Sequence, residues 1–217
     1  MSTRLVRYIR RQLLSWGRAN FSEFPWRHAV NPFHSLVAEI LLQRTRADQV
    51  VQVYYAFVQR FPSPGALGAS SVADVSEVIF SLGLHWRARY LVDLGRRLVE
   101  LDNRIPEDIH SLSELPGVGS YAAAAYLSLH VHKRAPIIDS NVVRLYGRFF
   151  GFEVGPETRR KKEMHLLAEC VTPSRFYKQF NYALIDVTRL ICKPHPHHDR
   201  CPLVHMCENV RKMQTSV

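Results

Sequence analysis

Apolar residues recur at helical spacing along almost the whole chain, and no stretch alternates as a half-buried strand would. Leu5, Ile9, Leu13 and Trp16 share one face of an opening helix over residues 3–19, and Val50, Val51, Tyr54, Phe57 and Val58 share one face of another over 47–60. Between them Leu36, Val37, Ile40 and Leu41 mark a helix begun by Asn31-Pro32, a capping side chain followed by proline at the first helical position. Residues 61–65 (Phe-Pro-Ser-Pro-Gly) read as a break. Ser71 with Asp74 three residues on has the pattern of a capping box for a helix that ends near Gly83. The same spacing predicts helices over 85–101, 106–114, 121–131, 141–150, 156–171 and 174–191, and it disappears from Cys192 onward. The expected fold class is all-α.

The last residues of the 106–114 segment run into Leu115-Pro116-Gly117-Val118-Gly119-Ser120-Tyr121. Glycine admits backbone shapes closed to other residues, and a helix that starts at Gly119 points free amides outward, which suits a phosphate. The unit reads as helix, Gly-x-Gly hairpin, helix, although an ordinary turn has the same string. A formal charge of +10 over 217 residues favours a polyanionic partner, nucleic acid before anionic membrane. No apolar run is long enough to cross a bilayer. Arg4, Arg7, Arg10 and Arg11 belong to the amphipathic first helix rather than to a transit peptide, and no secretory signal precedes them. A cytoplasmic, DNA-associated protein that does not engage membranes is expected.

Four groups of residues carry chemistry. Cys192, His198, Cys201 and Cys207 follow the pattern C-x5-H-x2-C-x5-C, and four such ligands at short spacing fit an iron–sulfur cluster or a zinc ion. His195, His197 and Asp199 are alternative fourth ligands. Asp139, after the apolar stretch 135–138, opens a helix, where its plain role is an N-cap. Glu39 lies between Ala38 and Ile40 in an apolar helix, where burial is costly unless the carboxylate is paired or functional. Gln43, Arg44, Arg46, His85, Trp86, Arg87 and Arg89 are candidate DNA contacts, with a solvated basic face as the plain alternative.

Together these residues resemble the helix-hairpin-helix DNA glycosylase superfamily, the endonuclease III and adenine mismatch glycosylase group. The resemblance runs from Phe24-Pro25-Trp26-Arg27 through residues 39–45, Gly83-Leu84, the 115–119 hairpin, Ile138-Asp139 and the terminal cysteine array. It implies two helical lobes: a six-helix barrel over about 28–132 with the hairpin, and a second lobe from 1–27 and 133–217 with a metal loop at 192–207. It implies double-stranded DNA between the lobes, phosphate gripped by Gly117, Gly119 and Ser120 with a monovalent cation at the hairpin, and a nucleotide flipped into a pocket. Asp139 matches the catalytic aspartate, which stabilises the cationic sugar and orients water. Glu39 matches the pocket glutamate of the mismatch-specific branch, which holds water or protonates the departing base.

Tyr121 stands where bifunctional members have a lysine, so no Schiff base forms there and a monofunctional enzyme is expected; Lys133 and Lys193 are the other amines to consider. Ser140 after Asp139 and His85-Trp86 after Leu84 depart from the adenine glycosylase pattern. Glu39 with Tyr121 is most similar to the thymine/uracil glycosylases of G·T and G·U mismatches. Adenine removal from mispairs is the alternative, and a non-catalytic DNA-binding module is the reading from another class. The family array is C-x6-C-x2-C-x5-C, so His198 implies a [4Fe–4S] cluster with three cysteines and one histidine. The expected protein is a monomer that acts on mismatched duplex.

Overall fold

The computed structural model describes residues 2–215. Among them all regular structure is helical, twelve α-helices and five short 3-10 turns with no strand. The chain divides into two compact units, residues 23–131 and residues 1–22 with 132–217. The sequence placed the divisions at 27/28 and 132/133. The segment before residue 28 joins the central unit because Phe24 stacks on Trp26 (4.9 Å) and Trp26 meets the edge of Tyr54 (5.7 Å). Residues 1, 216 and 217 of the expected second lobe lie outside the described residues.

The central unit holds α2 (Pro32–Leu41), α3 (Ala47–Arg60), α4 (Pro64–Gly68), α5 (Val72–Ile79), α6 (Arg87–Glu100), α7 (Ile109–Ser113) and α8 (Ser120–Leu129). Asn31 caps α2, its side chain accepting from Phe33 N at 2.9 Å with Pro32 at the first position. Ser71 and Asp74 form the full capping box of α5. The predicted break at 61–65 is also a start: Ser63 accepts from Ala66 N, and Pro64 opens α4. α4 packs on α6 at a distance set by glycine. A Cβ at Gly95 would lie 2.5 Å from Gly68 N, and one at Gly68 would lie 2.8 Å from Arg96 N, so two main chains touch with nothing between them.

The other unit combines α1 (Thr3–Asn20), α9 (Ser140–Phe150), α10 (Lys162–Val171), α11 (Tyr177–Leu190) and α12 (Glu208–Thr215). Its core includes Ile9, Leu13, Val142, Tyr146, Phe149, Ala168, Phe180, Leu184 and Val187, all buried. α1 packs on α11 and α10, and α9 packs on α11 and α12. The predicted helix at 156–171 is shorter than expected, because a 3-10 turn over Thr158–Arg160 occupies its first part. α12 was not predicted; it is eight residues long, polar, and buries no side chain. No helix among the described residues is long and apolar enough to cross a membrane.

Gly95→Ala should destabilise the protein by about 1–3 kcal/mol, the usual cost of forcing atoms into a filled contact. Chemical denaturation followed by circular dichroism measures it, and a loss below about 0.5 kcal/mol would mean that α4 can retreat freely.

Candidate functional site

The hairpin is built as its sequence requires. Asp108 caps α7 by accepting from Ser111 N at 2.9 Å, and the hydrogen bonds from Ser111 hold its carboxyl below the usual range. Val118 N donates to Leu115 O, closing the turn. Gly117 has φ +77°, the left-handed region that glycine reaches without penalty, and a Cβ there would press Tyr90 at 3.2 Å. Gly119 precedes α8 in extended conformation, and a Cβ there would meet nothing within 4 Å. Space is therefore open beside the first amides of α8. Ser120 is exposed and Tyr121 half-buried in that first turn.

Gln43 serves the hairpin directly. Its Nε2 donates to Gly117 O at 2.9 Å and ties the turn after α2 to the turn before α8. That turn is bent sharply, with Arg44 at φ +56°, a conformation uncommon for any residue other than glycine. Arg44 and Arg46 are exposed, and Arg46 lies 3.9 Å from Asp48.

Arg87 corrects the expectation of a DNA contact. It is 1% exposed and donates to Leu41 O at 2.9 Å, to Gln43 O, and to Thr45 Oγ1 at 2.7 Å. A guanidinium fork here satisfies carbonyls that the end of α2 leaves open. Burial, and then the charge of Arg44, lowers its pKa. Arg89 forms an ion pair with Asp93 along α6 at 2.9 Å. His85 and Trp86 stay at the surface, Trp86 half exposed, and each meets an exposed ring that the sequence reading passed over: Phe80 stands 5.0 Å from His85, and Tyr90 stands 5.6 Å from Trp86.

Glu39 is 2% exposed. Its neighbours Leu36, Val37, Ala38, Ile40 and Leu41 are buried as well, so α2 has no wet face on which to place it. The carboxylate is paired: His130 Nε2 lies 2.9 Å from Glu39 Oε1, with only 6% and 3% of the two side chains exposed. The sequence did not single out His130. It follows the apolar helix α8 and belongs to no spacing pattern, so only the fold reveals it.

Asp139 belongs to the other unit. It caps α9 as the N-cap reading requires, Oδ1 accepting from Val142 N at 2.7 Å. Oδ2 accepts from Asn141 Nδ2 at 2.8 Å, Asn141 Oδ1 accepts from Arg144 Nη1 at 2.9 Å, and Arg144 donates twice to Cys192 O at 2.8 and 3.0 Å. The carboxylate is thus fixed on both oxygens while the residue stays half-buried.

Cys192 closes this chain of bonds and also opens the metal loop. Cys192, His198, Cys201 and Cys207 all line one small cavity that is partly open to solvent; Leu145, Phe149 and Leu203 form its apolar wall. His195, His197 and Asp199 are not among the lining residues. Burial pushes the Cys201 thiol up to about 11, and the nearby Cys192 and Cys207 add to it. Arg148 Nη1 lies 3.7 Å from Cys192 Sγ. Among the described residues no three His, Cys, Asp or Glu side chains converge as one metal ion requires. A single zinc ion draws its sulfurs to roughly 3.8 Å of one another, given Zn–S bonds near 2.3 Å. Three thiols and an imidazole lining one cavity are donor types that iron–sulfur clusters take.

Residues 37–173 match the family model described as HhH-GPD superfamily base excision DNA repair protein. The chain is 36% identical over 211 residues to the thymine-DNA glycosylase of Aeropyrum pernix, covering 93% of this chain and 94% of that one. It is 37% identical over 207 residues to the thymine/uracil-DNA glycosylase of Pyrobaculum aerophilum, covering 91% and 89%. Among solved structures, that of a thermostable thymine-DNA glycosylase superposes with a TM-score of 0.90 at 29% identity, over 96% of this chain and 98% of the other.

Arg87→Leu would leave the carbonyls of Leu41 and Gln43 buried without their donor. We expect a loss of about 2–4 kcal/mol in urea unfolding, as for other orphaned buried polar groups. Arg87→Lys should not restore it, since an ammonium lacks the fork; full recovery with lysine would show that charge alone suffices.

Proposed function

The chain belongs to the HhH-GPD superfamily of base excision DNA repair proteins, and from that premise we propose that it is a monofunctional mismatch glycosylase. It hydrolyses the N-glycosidic bond of thymine or uracil opposite guanine in double-stranded DNA and leaves an abasic site. The observation that carries the reading is Asp139, a carboxylate locked by two hydrogen bonds at the start of α9 while its residue remains half-buried.

In this mechanism Asp139 faces the positive charge that develops on the sugar and orients the attacking water. Fixed negative charge is most effective when it needs no rearrangement as the bond breaks. Glu39 serves the departing base, whose loss as an anion is eased by a proton. The target nucleotide leaves the base stack, as chemistry on its glycosidic bond demands. The amides beside Gly119, with Ser120, Arg44 and Arg46, hold phosphate; Gln43 braces the hairpin, and His85 and Trp86 present rings to the duplex. Tyr121 offers no amine, so the strand stays intact. The Leu115 and Gly117 carbonyls accept from Val118 and Gln43, and no step uses the monovalent cation expected at the hairpin. The protein acts as a monomer on mismatched duplex, away from membranes.

Cys192, His198, Cys201 and Cys207 would hold a [4Fe–4S] cluster. When bound, the cluster supplies structural cross-linking of the loop with Lys193 and Arg200 and takes no part in hydrolysis.

Three measurements test this reading. A base-release assay over G·T, G·U and adenine mispairs should show release from the first two, strand breaks only after alkali, and no adduct trapped by borohydride. Asp139→Asn, whose amide oxygen can still cap α9, should lower release at least ~1000-fold with duplex binding retained. Adenine release alone would replace the substrate, and trapping would restore a lyase. The purified protein should be brown with broad visible absorbance and contain iron and sulfide; a colourless protein with one zinc per chain would refute the cluster.

A further inference from the structure

We propose that His130 is a positioning residue for base release: it holds Glu39 in place and stabilises the carboxylate that remains once Glu39 has given its proton to the departing base. The proposal rests on the glycosylase reading above.

The geometry is specific. Glu39 comes from the interior of α2 and His130 from the residue that ends α8, ninety-one positions apart, and their polar atoms meet at 2.9 Å with almost no solvent at either side chain. A carboxyl group in such surroundings is costly without a partner, and more so once ionised. His130 supplies one and is itself set by its neighbours: the ring of Tyr126, one helical turn earlier, lies 6.1 Å away at a tilt of 33°. Burial pushes the Tyr126 phenol up to about 12, with the charge of Glu107 adding to it, which marks this corner as poorly hydrated. The hydrogen bond engages Oε1, so the other oxygen of Glu39 is the one to address a base.

The chemistry then balances without a proton from histidine. The bond from C1′ to the base nitrogen breaks, and its electron pair leaves with the base. The proton on Glu39 Oε2 passes to that base, negative charge appears on the carboxylate, and the proton lost when water adds to C1′ returns to it. The Nε2–H of His130 donates to Oε1 throughout, and the bond strengthens as the neutral acid becomes an anion, since hydrogen bonds to ionised acceptors are about twice as strong. An interaction that tightens only as the reaction proceeds raises the rate rather than the affinity. A histidine that merely filled space would contribute to stability and leave this difference unmoved.

The test compares wild type, His130→Leu, His130→Gln, Glu39→Gln and the Glu39→Gln/His130→Leu double variant in single-turnover base release from a G·U duplex, with duplex affinity measured in parallel. His130→Leu should slow release by about 10–100-fold with affinity changed less than about threefold. His130→Gln, whose amide can donate to Oε1, should recover most of the loss. In the Glu39→Gln background His130→Leu should change the rate by less than about threefold, because the residue acts through Glu39. An equal loss in both backgrounds, or no loss in either, overturns the proposal. The free protein gives a readout without substrate: the Nε2 resonance of His130 in a nitrogen-15 spectrum should move on Glu39→Gln, and an unmoved resonance also overturns it. A wild type that releases no base from any mismatch overturns the glycosylase reading itself, whereas normal release by wild type and His130→Leu alike removes only the role of His130.

Discussion

Several helix C-termini in this protein are closed by arginine. Each α-helix ends with carbonyls that have no partner within the helix, and a chain made only of helices meets that problem at every turn. Arg87 meets it for α2. Arg10 and Arg134 converge on carbonyls of the last turn of α10 and the two residues after it, at residues 169–173. Arg144 reaches Thr188 in the last turn of α11 and Cys192 beyond it, and Arg148 reaches Lys193 and Pro194 further on. A guanidinium is suited to this work: it has five donors in one plane, it keeps its charge, and a cation is favoured where the helix dipole ends. Part of the basic excess is therefore turned inward and spent on main chain.

That division explains what composition conveyed and what it concealed. A charge of +10 pointed to a polyanion, yet no scale of charge separates Arg44, which is exposed, from Arg87, which is buried. The distinction depends on which carbonyls come near, and that is a property of the fold. Signals that are local in the chain were legible: Asn31-Pro32, the Ser71/Asp74 box and Asp139 at its cap all do in three dimensions what their neighbours in sequence require. Short helices were not. α4 hides within a run of prolines and glycines, and α12 is eight mostly polar residues with no buried face from which a period could be read.

The candidate site shows the same boundary. Glu39 was legible because an acid in an apolar helix is an anomaly that one segment displays by itself. Its partner was not, because His130 breaks no rule where it stands, and its meaning arises only when α2 and α8 pack together. The ligand set lies between these cases. The cysteines announce themselves by spacing, whereas only the fold shows that His198, unlike His195 and His197, lines the same cavity as they do.

The contact between Gly68 and Gly95 has a mechanical meaning for this arrangement. Most helix packing is set by side chains, whose shapes can readjust when a neighbour changes; here two backbones meet directly and leave no rotamer to absorb a shift. α6 is thereby pivoted on a hard stop about two turns after Arg87. The guanidinium that closes α2, and through Gln43 the turn that braces the hairpin, are aimed from that fulcrum, so their alignment is insulated from repacking elsewhere in the unit.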